Sequence, residues 1–146
     1  MAINKIKSMY IHEILDRVAE APSRKEKIEV LRRYNTPALR DILKGSFDEN
    51  VKFNLPKGAP PYTPGSSHSP GSTLRKQFKK FKHFVSTPQR RRAGPKVETI
   101  FIKMLESLHP EEAQLVVWMK DKDLSGKYKG LTKKIVSDAF PGLISE

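Results

Sequence analysis

The stretch Thr73-Leu74-Arg75-Lys76-Gln77-Phe78-Lys79-Lys80-Phe81-Lys82-His83-Phe84-Val85-Ser86 carries two patterns at once. At about 100° per residue, Leu74, Phe78, Phe81 and Val85 fall in one narrow apolar arc, which predicts a helix over 73–86. Arg75, Lys76, Lys79, Lys80, Lys82 and His83 cover the rest of its surface. Thr87-Pro88 ends the helix, and the run containing Arg90, Arg91 and Arg92 reads as a basic loop over 87–95. A helix with one apolar and one cationic side belongs to a helical domain that shows a charged face to solvent.

Working outward, the charge is local. From Asn50 to Val97 there are 11 basic residues, Lys52, Lys57 and Lys96 among them, and no Asp or Glu. The whole chain of 146 residues has 28 Lys+Arg against 16 Asp+Glu, a net +12, so everything outside this stretch is nearly neutral. A merely solvated face usually mixes signs. A single-signed segment beside an Arg triplet points instead to a polyanion, since guanidinium groups suit phosphate contacts. A Lys-rich helix that only faces water is the alternative to that reading.

The flanking thirds read as helices. Ile11, Ile14, Leu15 and Val18 make a stripe over 8–20. Ser23 to Glu26 has capping-box spacing and opens a second helix with Ile28 and Leu31 inside. Thr36-Pro37 suits the N-cap and first turn of a third, with Leu39, Ile42 and Leu43 inward and Gly45 as its stop. After the basic loop a helix from Pro95 buries Val97, Phe101, Met104, Leu105 and Leu108. Another, from His109-Pro110, buries Leu115, Val116, Trp118 and Met119, with Glu111 and Glu112 facing its dipole. Residues 120–130 read as a polar loop, and a last helix over 131–139 turns Ile135, Val136 and Ala139 inward.

Between the third helix and the basic one, Val51, Phe53 and Leu55 alternate with Lys52 and Asn54, an extended pattern. Pro56 to Gly71 is rich in Pro, Gly and Ser and cannot be helical. It reads as an ordered crossing to about Tyr62 and a flexible loop over 63–72, with a plain linker between subdomains as the alternative. The expectation is one all-α domain over 1–146, a compact bundle of about seven short helices with this crossing in its middle.

No chemistry emerges. His12, His68, His83 and His109 lack metal-ligand spacing, and without cysteine a zinc site has no thiolates. No glycine loop has the strand context or the Lys-Ser/Thr that cradles phosphates. Asp121 and Asp123 read as a solvated loop before they read as a cation site. Phe78, Phe81 and Phe84 read as packing before they read as base-stacking groups. No signal peptide or membrane-length apolar run is present, so the expectation is a soluble cytoplasmic protein with no metal and no cofactor.

The order of elements resembles the N-terminal DNA-binding domain of ATP-dependent DNA ligases, in the compact form found in tailed phages. The resemblance rests on Ile11 to Leu15 followed by Ser23 to Leu31, and on Leu39 to Leu43 leading into Val51 to Pro56. It is completed by Tyr128 to Ile144, which resembles that domain's closing segment, a Gly followed after about two turns of helix by Trp-Pro-Gly-Leu-Ile, with Phe140 in the Trp position. The resemblance implies a helical module gripping duplex backbone with little base specificity, and it would place Lys129, Gly130, Thr132 and Lys133 against the DNA. The Lys-x-Asp-Gly nucleophile motif of ligases is missing, because Lys120-Asp121-Lys122-Asp123 lacks the glycine. Catalysis does not carry over.

The sequence therefore predicts a non-enzymatic binder of nucleic acid, duplex DNA first and RNA as a further candidate, acting as a phage accessory factor. Its contact residues are Arg75, Lys76, Lys79, Lys80, Lys82, Arg90, Arg91, Arg92, Lys96, Lys129, Gly130, Thr132 and Lys133. The rival is a protein–protein adaptor that docks its basic surface on an acidic host or phage machine such as a polymerase. An anionic membrane ranks far lower, because the apolar arc is needed for the core.

Overall fold

The computed structural model describes residues 9–87 and 95–145. Among them are eight α-helices and one 3-10 helix, joined by loops. In chain order the α-helices are α1 (Ile11–Glu20), α2 (Arg24–Arg33), α3 (Pro37–Phe47), α4 (Leu74–Gln77), α5 (Pro95–Ser107), α6 (Pro110–Lys120), α7 (Leu124–Lys127) and α8 (Lys133–Ala139). The 3-10 helix, Phe78–His83, continues directly from α4. The all-α reading holds.

Helix α6 is the hub, packing against α1, α3, α5 and α7. Its sequence explains why: Ala113, Leu115, Val116, Val117 and Met119 are all buried, and only Glu111 and Gln114 are left exposed along it. Burying the four larger of these is worth about 6–12 kcal/mol before entropy. That is as large as the net stability of an ordinary domain, roughly 5–15 kcal/mol. The remaining helices pair around this hub, α1 with α2, α2 with α8, and α3 with α4.

Both charged ends of α6 are also buried, and each holds a neighbour. At its start Glu112, with no exposure, accepts hydrogen bonds from the amides of Ile11 (3.2 Å) and Leu74 (3.1 Å). These are the first residues of α1 and α4, whose amides have no partner within their own helices. Glu112 thus caps two other helices, where the sequence assigned it only to the dipole of its own. At the far end Lys120 donates to the carbonyls of Pro56 (2.8 Å) and Gly58 (3.0 Å) and pairs with Asp121 (2.6 Å). The Asp121 carboxylate accepts from the Gly58 amide at 3.1 and 3.0 Å. The proline-rich crossing is stapled there, and Asp121 is a structural acid, not part of a solvated loop.

Three further readings change. The helix expected over 73–86 is α-helical only to Gln77 and then tightens to three residues per turn. That spacing suits the repeat Phe78, Phe81, Phe84, and it buries Phe84 in the place expected for Val85. Phe84 meets Phe101 edge-on, 5.2 Å between ring centres. Gly45 does not stop α3 but lies inside it, where a β-carbon would sit 2.9 Å from Met119 Sδ and 3.1 Å from Phe53 Cζ. Close approach of α3 to α6 is its purpose. The expected polar loop over 120–130 contains α7, which forms because Leu124 is fully buried.

The extended piece lies against the end of the basic helix. Phe53 and Val85 form an isolated antiparallel bridge. The Asn54 amide donates to the Phe84 carbonyl (2.8 Å), and the Ser86 amide donates to the Lys52 carbonyl (2.6 Å). The segment over 63–72 rests on the end of α5: the Thr63 amide donates to Glu106 (2.8 Å) and the Ser72 amide to the Ser107 carbonyl (2.8 Å). Between them Gly65 sits so close that a β-carbon would be 2.6 Å from the Leu108 carbonyl oxygen.

Candidate nucleic-acid interface

Several cations elsewhere in the fold hold backbone carbonyls, most of them at helix ends where the carbonyls have no partner. Lys27 donates to the carbonyls of Val18, Ala19 and Ala21, finishing α1. Arg32 donates to Asp138 and Ala139 at the end of α8. Lys44 reaches the Leu143 carbonyl (3.1 Å). Lys122 donates to the carbonyls of Gly45, Asp48 (3.1 Å) and Val51 (2.6 Å), closing α3. Its backbone φ of 60° is the left-handed exception among described non-glycine residues, and its ammonium lies 5.4 Å from the centre of the Phe53 ring. Burial pushes its pKa down, against the pull of Asp48.

Against that background the sequence-predicted contact residues divide. Arg75 belongs with the structural cations: its guanidinium donates to the Met9 carbonyl from Nε (3.2 Å) and Nη2 (3.0 Å), close to Glu112. Lys76, Lys79, Lys80 and Lys82 stand exposed along α4 and the 3-10 helix. Lys76, Lys79 and Lys80 make no ion pair among the described residues. In a 3-10 helix residues three apart eclipse, which sets Lys79 and Lys82 on one ridge about 6 Å apart. Lys52 joins them through the hydrogen bond of its carbonyl to Ser86, a neighbour the sequence did not place in the site. Lys96 is exposed in the first turn of α5. Arg90, Arg91 and Arg92 lie outside the described residues.

The C-terminal group is carried by a different helix pair, since α8 packs on α2 while α4 packs on α3. Lys129 and Lys133 are exposed there. Gly130 and Thr132 have structural reasons to be what they are. Gly130 has φ +78°, and a β-carbon on it would meet Lys27 Cε at 2.6 Å. Thr132 is the N-cap of α8 and accepts from the Ile135 amide (3.3 Å).

Two further titratable side chains are tied into local networks. His12 Nε2 lies 2.7 Å from Glu111, and the rings of Tyr10, His12 and His109 stack within 5.5 Å of one another. Burial lowers the pKa of His12 and outweighs the opposing pull of Glu111. Asp48 is buried and accepts from the amides of Asn50 (2.9 Å) and Ser145 (3.1 Å). Burial pushes its pKa up, but these bonds and Lys44 push it down and win. Among the described residues no group of three or more His, Cys, Asp or Glu is arranged to hold a metal ion. Of the phenylalanines considered for stacking, Phe81 and Phe84 are core residues and Phe78 packs against the core half-buried.

The fold and the site thus define a small all-helical protein with one ridge of exposed lysines. The chain belongs to the family described as a family of unknown function, DUF6433, which it matches over residues 14–126. No curated protein matches it in sequence. No helix among the described residues is long and apolar enough to cross a membrane.

Proposed function

We propose that this chain is a non-catalytic, cytoplasmic nucleic-acid-binding protein that grips duplex DNA by its backbone with little base specificity. The observation that carries the reading is the division of its cations. Lys27, Arg32, Lys120 and Lys122 turn onto carbonyls, whereas Lys76, Lys79 and Lys80 end in solvent within an acid-free stretch. Lys82, Lys96 and Lys52 extend that surface, and the resemblance to the ligase DNA-binding module supports the same partner. Lys129 and Lys133 form a second contact under this reading, and Arg90, Arg91 and Arg92 a third.

The test is a salt titration with labelled duplex DNA, single-stranded DNA and structured RNA. Neutralising about four phosphates gives a slope near −3.6 in log–log form, a loss of roughly 150-fold between 50 and 200 mM salt. The variant K76E/K79E/K80E should abolish duplex binding at about 100 mM salt while melting like the wild type. Absence of binding to any nucleic acid at that salt refutes the proposal and leaves the docking of an acidic protein as the use of the ridge.

A further inference from the structure

Beside the lysine ridge, α3 and the Phe53–Val85 bridge enclose a recess of about 210 Å³. Val51, Phe53, Phe81 and Val85 line it, with Lys82, Lys44 and Asp41 alongside. Phe53 and Val85 are half-buried, so apolar surface remains open beside a cationic ridge. Pockets for drug-sized ligands start at roughly 300 Å³, so this one suits a single flat ring system and not the apolar face of a helix.

The geometry points to an unpaired nucleobase as the occupant: the recess takes one base turned out of its strand while the exposed Lys79 and Lys80 of the neighbouring 3-10 helix hold the flanking phosphates. This inference rests on the nucleic-acid reading above and names the preferred form of the substrate, a duplex interrupted by an unpaired nucleotide. Three features on the page carry it. The recess is predominantly apolar, which accepts the π-face of any base without discriminating among them. The neighbouring 3-10 helix shows Lys79 and Lys80 to solvent, and neither makes an ion pair among the described residues. The stretch from Asn50 to Val97 brings cations and no carboxylate to that strand, which leaves Asp41 of α3 as the acid lining the recess.

The experiment is fluorescence anisotropy of the full chain at about 100 mM salt with three labelled probes: a blunt duplex, the same duplex with one bulged thymine, and the same duplex with an abasic bulge. The bulged thymine should bind roughly 5- to 150-fold tighter than the blunt duplex, the worth of one stacked base. The abasic bulge should bind like the blunt duplex. V85W, which fills the recess, should remove the gain and leave blunt-duplex affinity unchanged, and V51F serves if V85W melts early. The probe comparison stands on wild-type protein alone, so it decides the matter even if neither variant folds. Equal affinity for blunt and bulged duplex overturns this inference and spares the backbone-binding proposal. A tight abasic bulge overturns it too, by assigning the gain to flexibility, as does a V85W variant that keeps the gain. A change in sedimentation on V85W also overturns it, by making the recess a contact between copies. Failure to bind any probe overturns both readings.

Discussion

Replacing Glu112 tests the hub of the fold most directly. Its carboxylate is the acceptor for the first amides of α1 and α4, in a place with no access to water. In Glu112→Leu both amides are left buried and without partners, at about 1–3 kcal/mol each, so a loss of roughly 3–5 kcal/mol is expected. Glu112→Gln should lose less, about 2 kcal/mol, because the amide oxygen can still accept from one N–H while its NH2 opposes the other. Urea denaturation followed by circular dichroism measures both, and in thermal melts about 3 kcal/mol corresponds to roughly 6–12 °C. The pH dependence gives an independent handle. Burial raises the Glu112 pKa, and the two amides and Arg75 pull it back only in part. With the folded value above the unfolded one, the contribution of this group is full below the unfolded pKa and is lost as pH rises through the folded pKa. Wild type minus Glu112→Leu should therefore shrink with rising pH above about 4.5. An unchanged midpoint for Glu112→Leu, or a difference that grows with pH, refutes the capping role.

Other outcomes follow from the same geometry. Gly45→Ala should cost about 1–3 kcal/mol by pressing on Met119 and Phe53, with the cost near the low end because a thioether yields; urea midpoints measure it. Lys122→Met keeps the size of the side chain but loses three carbonyl contacts, and a loss of about 2 kcal/mol is expected in the same assay. Asp48 has a depressed pKa, so its contribution is present above the usual carboxylate value and disappears as pH falls through the lower folded value. In acid titrations below about pH 4 the wild type should lose stability that Asp48→Asn has already lost.

What the sequence made legible was local. Ser23 and Thr36 do accept from the amides of Glu26 (3.2 Å) and Leu39 (3.2 Å), because a cap and its target lie three residues apart and leave a pattern. The exposed lysines of 76–82 were legible for the same reason, as a periodicity. Glu112 and Lys120 were not, since their partners lie 38 to 101 residues away and neither end of the contact carries a motif. Arg75 looked like its neighbours in the string and differs only because a carbonyl from Met9 happens to face it. Gly45 and Gly130 carry no side chain to signal what presses against them, Met119 in one case and Lys27 in the other. The short helix at Leu124 was hidden by the charges around it.

The position of α6 in the chain also sets an order of events. The segments that Glu112 and Lys120 tie down, from Ile11 through Pro56 and Gly58 to Leu74, are synthesised before Pro110. The nascent chain therefore carries a long cationic stretch with neither its cap nor its staple, and native-like order waits until α6 has been made. Such late, long-range closure slows folding and leaves the basic segment open to the polyanions of the ribosome until α6 emerges. The lysine ridge takes its folded form only once α6 is in place.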